Sequence, residues 1–204
     1  MNQPLDISSI NLVARLLGAF FYYSPDSETL IALRSALNDI ESLFSWHDPQ
    51  FIVNQRNIML DSLTDGELPY QYSVLFEGQG TMPAPPWGSV YLDKENLLMG
   101  ESTERYRVFL ADHNIVIQTG LNEPEDQFGL MLMALALLIE SEQFDAAKIL
   151  LSEHLLTWAP RYLALLSQND ISPFYRALAA SAESYLNQLV AQLQLHMPFY
   201  YLYK

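Results

Sequence analysis

The stretch that most constrains this chain is 122–140, NEPEDQFGLMLMALALLIE. It opens with three carboxylates and then runs from Phe128 to Ile139 with no charged side chain. A helix apolar on every side must be covered on every side, and twelve such residues are too few to span a bilayer. The stretch therefore predicts a central helix buried by the rest of the chain, with Asn122 as cap, Pro124 in the first turn, and Glu123, Glu125 and Asp126 at the positive end of the helix dipole.

The material to bury such a helix is present. The chain has 204 residues, 50% of them hydrophobic and 12% aromatic, enough for one sizeable core. Helical spacing recurs at Ser9–Tyr23 and Ser27–Ile40, from Asp48-Pro49 to Leu63, and at Pro69–Phe76 and Ser102–His113. It returns at Glu142–Leu156, at Pro160–Leu166, and from Ser172-Pro173 to Leu195. The β-prone run Asn114–Thr119 stands alone and reads as an extended connector, and the aromatic tail PFYYLYK reads as docking on the body. The expected fold is all-α: a single bundle-like domain over residues 1–204, with nine to ten helices around the buried central one.

The pattern breaks once, between Glu77 and Gly100, which holds four of the eight glycines. Its core, MPAPPWGSVYLD, joins a stiff Pro85-Pro86 to Trp87, Val90 and Tyr91. Prolines fix the backbone, and these side chains are too apolar for an idle loop. Long ordered loops in compact domains are commonly functional.

Charge narrows the function classes. Ten basic against 24 acidic residues leave a net charge of −14, which argues against nucleic acid and anionic membrane surfaces as partners. With no cysteine, thiolate chemistry and disulfides are excluded. The four histidines are scattered, and no phosphate loop, zinc motif or nucleophile elbow occurs. Neither catalytic residues, nor a metal, nor a cofactor is expected. Nothing near the N-terminus has the form of a secretory signal, so a cytoplasmic location is expected. From Val108 to Ala147 there are seven acidic residues and no Lys or Arg, and from Asn57 to Asp93 five and none. Such carboxylates are either solvated or await an external cation. Glu123, Glu125 and Asp126 thus have three readings: helix-end electrostatics, a cation site, or an acid/base pair.

The residues also carry a pattern. Arg15-Leu-Leu-Gly18 with Tyr22-Tyr23, Leu75-Phe76, the run P-P-W-G-S-V-Y at 85–91 with Asp93, Gly100, E-P-E-D at 123–126, Trp158 and Pro173-Phe-Tyr175 together resemble the TorD/DmsD family of redox-enzyme maturation chaperones over nearly the whole length. The resemblance implies a cytoplasmic all-helical proofreading chaperone, peripheral to the inner membrane through its partners. It would bind the twin-arginine leader of a molybdopterin enzyme's catalytic subunit and hold back export until cofactor insertion is complete. Components of the twin-arginine translocase are further implied partners; monomer and homodimer both fit. Carried over by position, the leader-binding residues are Tyr72, Leu75, Phe76, Trp87, Gly88, Ser89, Tyr91, Gly100, Glu123, Asp126, Gln127, Arg15 and Tyr22. The family's acidic motif usually ends in histidine where this chain has Gln127, which leaves hydrogen bonding rather than titration at that position. Two other classes compete: a helical adaptor for the folded mature enzyme, and a carboxylate-based hydrolase or nucleotide-binding enzyme.

Overall fold

The computed structural model describes residues 6–96, 98–118, 123–196 and 200–204. Among them are ten α-helices and no strand. In chain order these are α1 (Ile7–Tyr22), α2 (Glu28–Leu33), α3 (Pro49–Ser62), α4 (Leu68–Phe76), α5 (Ser89–Leu92), α6 (Glu101–Asp112), α7 (Phe128–Glu140), α8 (Phe144–Ile149), α9 (Ala159–Leu166) and α10 (Pro173–Leu193). A 3₁₀ segment, Arg34–Ser42, extends α2, and a π-helical segment, Leu150–Leu155, extends α8.

Local chemistry starts these helices where the sequence asks. Asp48 accepts from the Phe51 N–H at 2.9 Å with Pro49 in the first turn, and Ser172 accepts from Tyr175 with Pro173 in the first turn. Each satisfies an amide that the helix leaves unpaired. The start expected for α6 at Ser102 is corrected. Ser102 lies inside the helix, and its N–H and hydroxyl both donate to Asp93, the hydroxyl at 2.7 Å. A carboxylate nine residues upstream caps α6 from outside.

The buried central helix is borne out in its body and corrected at its start. Ten of the thirteen residues of α7 are buried. However, α7 begins at Phe128, and its cap is Gln127, whose Oε1 accepts from the Leu130 N–H at 3.0 Å. Asn122, the expected cap, lies outside the described residues. Glu123, Glu125 and Asp126 precede the helix, in a turn closed by the Gln127 N–H on the Pro124 carbonyl at 3.2 Å.

Helix α1 lies antiparallel along α7. Asn11 donates to the Ala136 carbonyl at 2.8 Å, and Gln127 Nε2 donates to the Phe21 carbonyl at 3.0 Å. Between these two ties the backbones meet at Gly18 and Gly129. A Cβ on Gly129 would stand 2.5 Å from the Gly18 carbonyl, and one on Gly18 2.8 Å from that of Gly129. Helix α10 packs on α3, α9 and α1, with the Tyr185 hydroxyl donating to the Ile10 carbonyl at 2.8 Å. One buried apolar cluster draws on helices from α1 to α10. The connector expected at Asn114–Thr119 is observed as irregular backbone at Ile115–Gln118, with Asn114 in the turn after α6 and Thr119 outside the described residues, and the docking of the tail is also observed. The Tyr203 N–H donates to the Tyr91 carbonyl at 2.9 Å, and Arg161 donates to the Lys204 carbonyl. No helix among the described residues is long and apolar enough to cross a membrane.

The glycine contact gives a signed prediction. At an ordinary helix position Gly→Ala stabilises, by roughly 0.5–1 kcal/mol. Gly129→Ala should instead cost about 1–3 kcal/mol, because the methyl group meets backbone that cannot move aside. Urea denaturation of the variant checks this: a raised midpoint would mean that the helices can separate at no cost.

Candidate functional site

The loop after α4 is held by the segment before α7. The Phe128 N–H donates to the Pro86 carbonyl at 2.8 Å, the Gly88 N–H to the Asp126 carbonyl at 3.1 Å, and Trp87 and Gln127 form an antiparallel bridge. Pro86 lacks an N–H and contributes only its carbonyl, so the bonding runs one way there. At the end of this seam the Ser89 N–H donates to the Asp126 carboxylate at 2.7 Å, and the Thr103 hydroxyl donates to the same oxygen at 3.1 Å. Gly88 permits the close passage of Trp158, whose indole nitrogen would lie 2.8 Å from a Cβ there. The P-P-W-G-S-V and E-P-E-D runs are thus two sides of one backbone seam, with the four-residue α5 as its continuation.

The seam fixes Trp87 at the edge of an open groove of about 710 Å³. The groove is walled by Tyr22, Tyr23 and Ser24 at the end of α1, and by Tyr72, Phe76, Glu77 and Gly78 at the end of α4. Met82, Leu98, Glu123 and Gln127 complete it. The Tyr72 and Phe76 rings stack 4.9 Å apart, and the Tyr72 hydroxyl donates to the Tyr22 carbonyl, tying the two helix ends together. A stack of this kind adds roughly 0.5–1.5 kcal/mol beyond its buried area.

The three carboxylates of E-P-E-D go three ways. Glu125 pairs with Arg107 of α6 at 2.7 Å, so it has an internal cation just outside the stretch that lacks basic residues. Asp126 is 3% exposed and faces Ser89 and Thr103. Burial pushes its carboxyl up, against those hydrogen bonds. Glu123 is half-buried in the groove and accepts from the Trp87 indole N–H at 2.6 Å. Burial raises its carboxyl too; the Trp87 bond opposes this, while Asp126 and Glu77 add to it. Expected at the start of the central helix, Glu123 and Asp126 instead lie in a non-helical turn before it and point to different environments.

The groove gathers six of the expected residues: Tyr22, Tyr72, Phe76, Trp87, Glu123 and Gln127. The others lie behind it or away from it. Leu75 and Tyr91 are fully buried, and Tyr91 stacks on Trp158 at 5.5 Å. Gly88, Ser89 and Asp126 form the seam. Gly100 precedes α6, where a Cβ would meet the capping carboxylate of Asp93 at 2.2 Å. Arg15 pairs with Glu140 at the far end of α7 and does not line the groove. The loop opening at Glu77, singled out in the sequence as functional, supplies Glu77, Gly78 and Met82 besides Trp87. Sequence reading missed Ser24 and Leu98 as groove residues and read Tyr23 only as part of the family motif. Among the described residues no group of histidines and carboxylates could hold a metal ion.

The class of protein thus defined is an all-helical one with an aromatic, acidic groove and a stitched loop beside it. Residues 33–164 match the model of the nitrate reductase delta subunit family. The chain is 37% identical over 194 residues to a probable Tat proofreading chaperone DmsD of Haemophilus influenzae, covering 94% of this chain and 95% of that one. It is 37% identical over 193 residues to the Tat proofreading chaperone DmsD of Salmonella typhi, covering 95% of each. It is 30% identical over 179 residues to the chaperone protein TorD of a Vibrio cholerae strain, covering 82% and 79%. The chain belongs to this TorD/DmsD family, whose members are chaperones and not enzymes. That sets aside the hydrolase reading of the carboxylates.

Two predictions follow from the buried groups here. Gln127→Ala would leave the Phe21 carbonyl and the Leu130 N–H unpaired in the interior, at about 1–3 kcal/mol; a urea midpoint unchanged from wild type would contradict this role. His154, packed against the rings of Tyr106 and Phe109, is held by burial at a pKa of about 4, with Arg105 adding to the effect. Its unfolded value is about 6.5. The unfolded chain therefore binds more protons between these values, and stability from this group is lost as pH falls from about 6.5 towards about 4. Thermal melts across that range should show a smaller acid loss in His154→Gln than in wild type.

Proposed function

We propose that the groove binds the twin-arginine leader of the catalytic subunit of a molybdopterin oxidoreductase. The chain would hold that subunit from export until cofactor insertion and folding are complete. The act belongs on the cytoplasmic side of the membrane, where such a leader is first exposed. The observation that carries this reading is the pairing of chemistries in one groove. Trp87, Tyr72, Phe76 and Met82 offer an apolar wall, and Glu123 and Glu77 offer carboxylates with no Lys or Arg partner among the described residues. A twin-arginine leader presents the complement, two guanidiniums beside an apolar run. The names of the relatives support it, since two are Tat proofreading chaperones. A wall stiffened by the seam loses little entropy when a segment binds, and carboxylates select arginine by bidentate hydrogen bonding.

Calorimetric titration of a synthetic twin-arginine leader tests this. Each partly exposed Arg–carboxylate pair should add on the order of 1 kcal/mol and weaken with salt. Replacing both arginines by glutamine should then cost about tenfold or more at low salt. Trp87→Ala should weaken both peptides, since it removes apolar wall. The reading fails if the leader does not bind at low salt, or if the glutamine peptide binds equally. Binding of the mature enzyme without its leader would favour the adaptor reading instead.

A cation-binding groove acts on Glu123 in a stated direction. Its carboxyl titrates above the ordinary glutamate range, among Trp87, Glu77, Asp126 and the phenol of Tyr72. A bound guanidinium favours the ionised form and lowers that pKa. Leader affinity should therefore fall on acidification, beginning above the ordinary range, and Glu123→Gln should flatten the fall.

A further inference from the structure

Two helices end at the groove. Tyr22, Tyr23 and Ser24 close α1, and Phe76, Glu77 and Gly78 close α4. A helix C-terminus carries about half a negative charge on its unpaired carbonyls, and basic side chains commonly offset it. Neither α1 nor α4 has a basic residue in its last turn. Helix α4 instead places the carboxylate Glu77 directly at its C-terminus, where the dipole disfavours an anion. The Glu77 side chain is exposed, lines the groove, and meets no Lys or Arg among the described residues. Across the groove stands Glu123, which feels Glu77 as a like charge. Two carboxylates and two helix C-termini thus share one water-accessible space, lined by no Lys or Arg among the described residues. Asp126, by contrast, is buried behind the seam: Ser89 and Thr103 share one of its oxygens, and the other is buried without a partner and does not line the groove.

We propose that Glu77 and Glu123 are the pair that reads the two arginines, one guanidinium each, and that Asp126 is a positioning residue acting through the Trp87 segment. The inference rests on the reading of the groove as a leader site, and it names which acids meet the ligand. Like charges held together across a groove repel, and a ligand bearing two adjacent cations relieves the repulsion twice. A ligand with one cation relieves it once. The arrangement therefore rewards a pair of arginines over a single one. The last two carbonyls of α1 already accept from Gln127 and Tyr72, so the helix ends add their dipoles to the preference rather than free acceptors.

The test crosses Glu77→Gln, Glu123→Gln and Asp126→Asn with four synthetic leaders, carrying Arg-Arg, Arg-Gln, Gln-Arg and Gln-Gln, by calorimetry at low salt. Thermal melts first establish that each variant is folded, and Glu77→Lys serves as a sign-reversed control on an exposed site. Glu77→Gln should weaken the Arg-Arg leader by up to about fivefold, the range for a partly exposed pair, and leave the Gln-Gln leader unchanged. Its effect should survive in only one of the single-arginine leaders, and that of Glu123→Gln in the other. Asp126→Asn should change binding of all four leaders by one common factor and shift the Trp87 fluorescence. The inference is overturned if Glu77→Gln binds the Arg-Arg leader as wild type does while Glu123→Gln does not, or if the Asp126→Asn effect is confined to leaders with arginine. A wild-type protein indifferent to the arginines would instead overturn the leader reading itself, whatever the variants do.

Discussion

Helices α1 and α7 touch backbone to backbone at Gly18 and Gly129, and the rest of the molecule depends on that contact. With a side chain at either position the helices would stand further apart. Gln127 could not then reach the Phe21 carbonyl, nor Asn11 that of Ala136. The contact fixes where α7 starts relative to where α1 ends. Both points line the groove. The body of α7 is buried except for a narrow stripe through Met133, Leu137 and Glu140, and close packing on its other sides makes the arrangement stiff.

On this frame the loop is held by backbone bonds and by one buried carboxylate. The Pro85-Pro86 step cannot join a helix, so its neighbours are free to pair with the segment before α7. Asp126 then takes the first amide of α5 and the hydroxyl of Thr103 in α6, so one side chain connects three elements. Burying a charge is costly unless hydrogen bonds surround it. Here Ser89 and Thr103 bond one oxygen of Asp126 while the other is buried without a partner, so the site bears part of that cost. Glu123 is the other end of the same short segment. It accepts the indole N–H and lines the groove, so the turn 123–126 sends one carboxylate inward to the seam and one outward into the groove.

Much of this was legible beforehand because it is local. Periodicity placed the helices, and the caps at Asp48 and Ser172 marked two of their starts. The absence of charge from Phe128 to Ile139 marked the core helix. The sequence also flagged the proline-rich loop, and the paired motifs pointed to the family. What misled was reading the acidic cluster as part of the helix that follows it. Pro124 after an asparagine looks like a first turn, yet Gln127 caps α7 because only from there can its amide also meet α1. The cap of α6 was misplaced for a similar reason. Asp93 reaches it across the loop, and no local signal encodes that.

The sequence by itself determined an all-helical chain, a buried central helix, an excess of carboxylates without nearby bases, and membership of a chaperone family. Composition and periodicity act at short range, so they survive without a fold. Only the tertiary structure decided which carboxylates face water. Glu125 found Arg107, Asp126 was buried under Ser89 and Thr103, and Glu123 and Glu77 were left in the groove. Burial and pairing depend on neighbours 18 to 46 residues away in the chain, brought close by the crossing of α1 with α7 and the seam that this crossing holds in place.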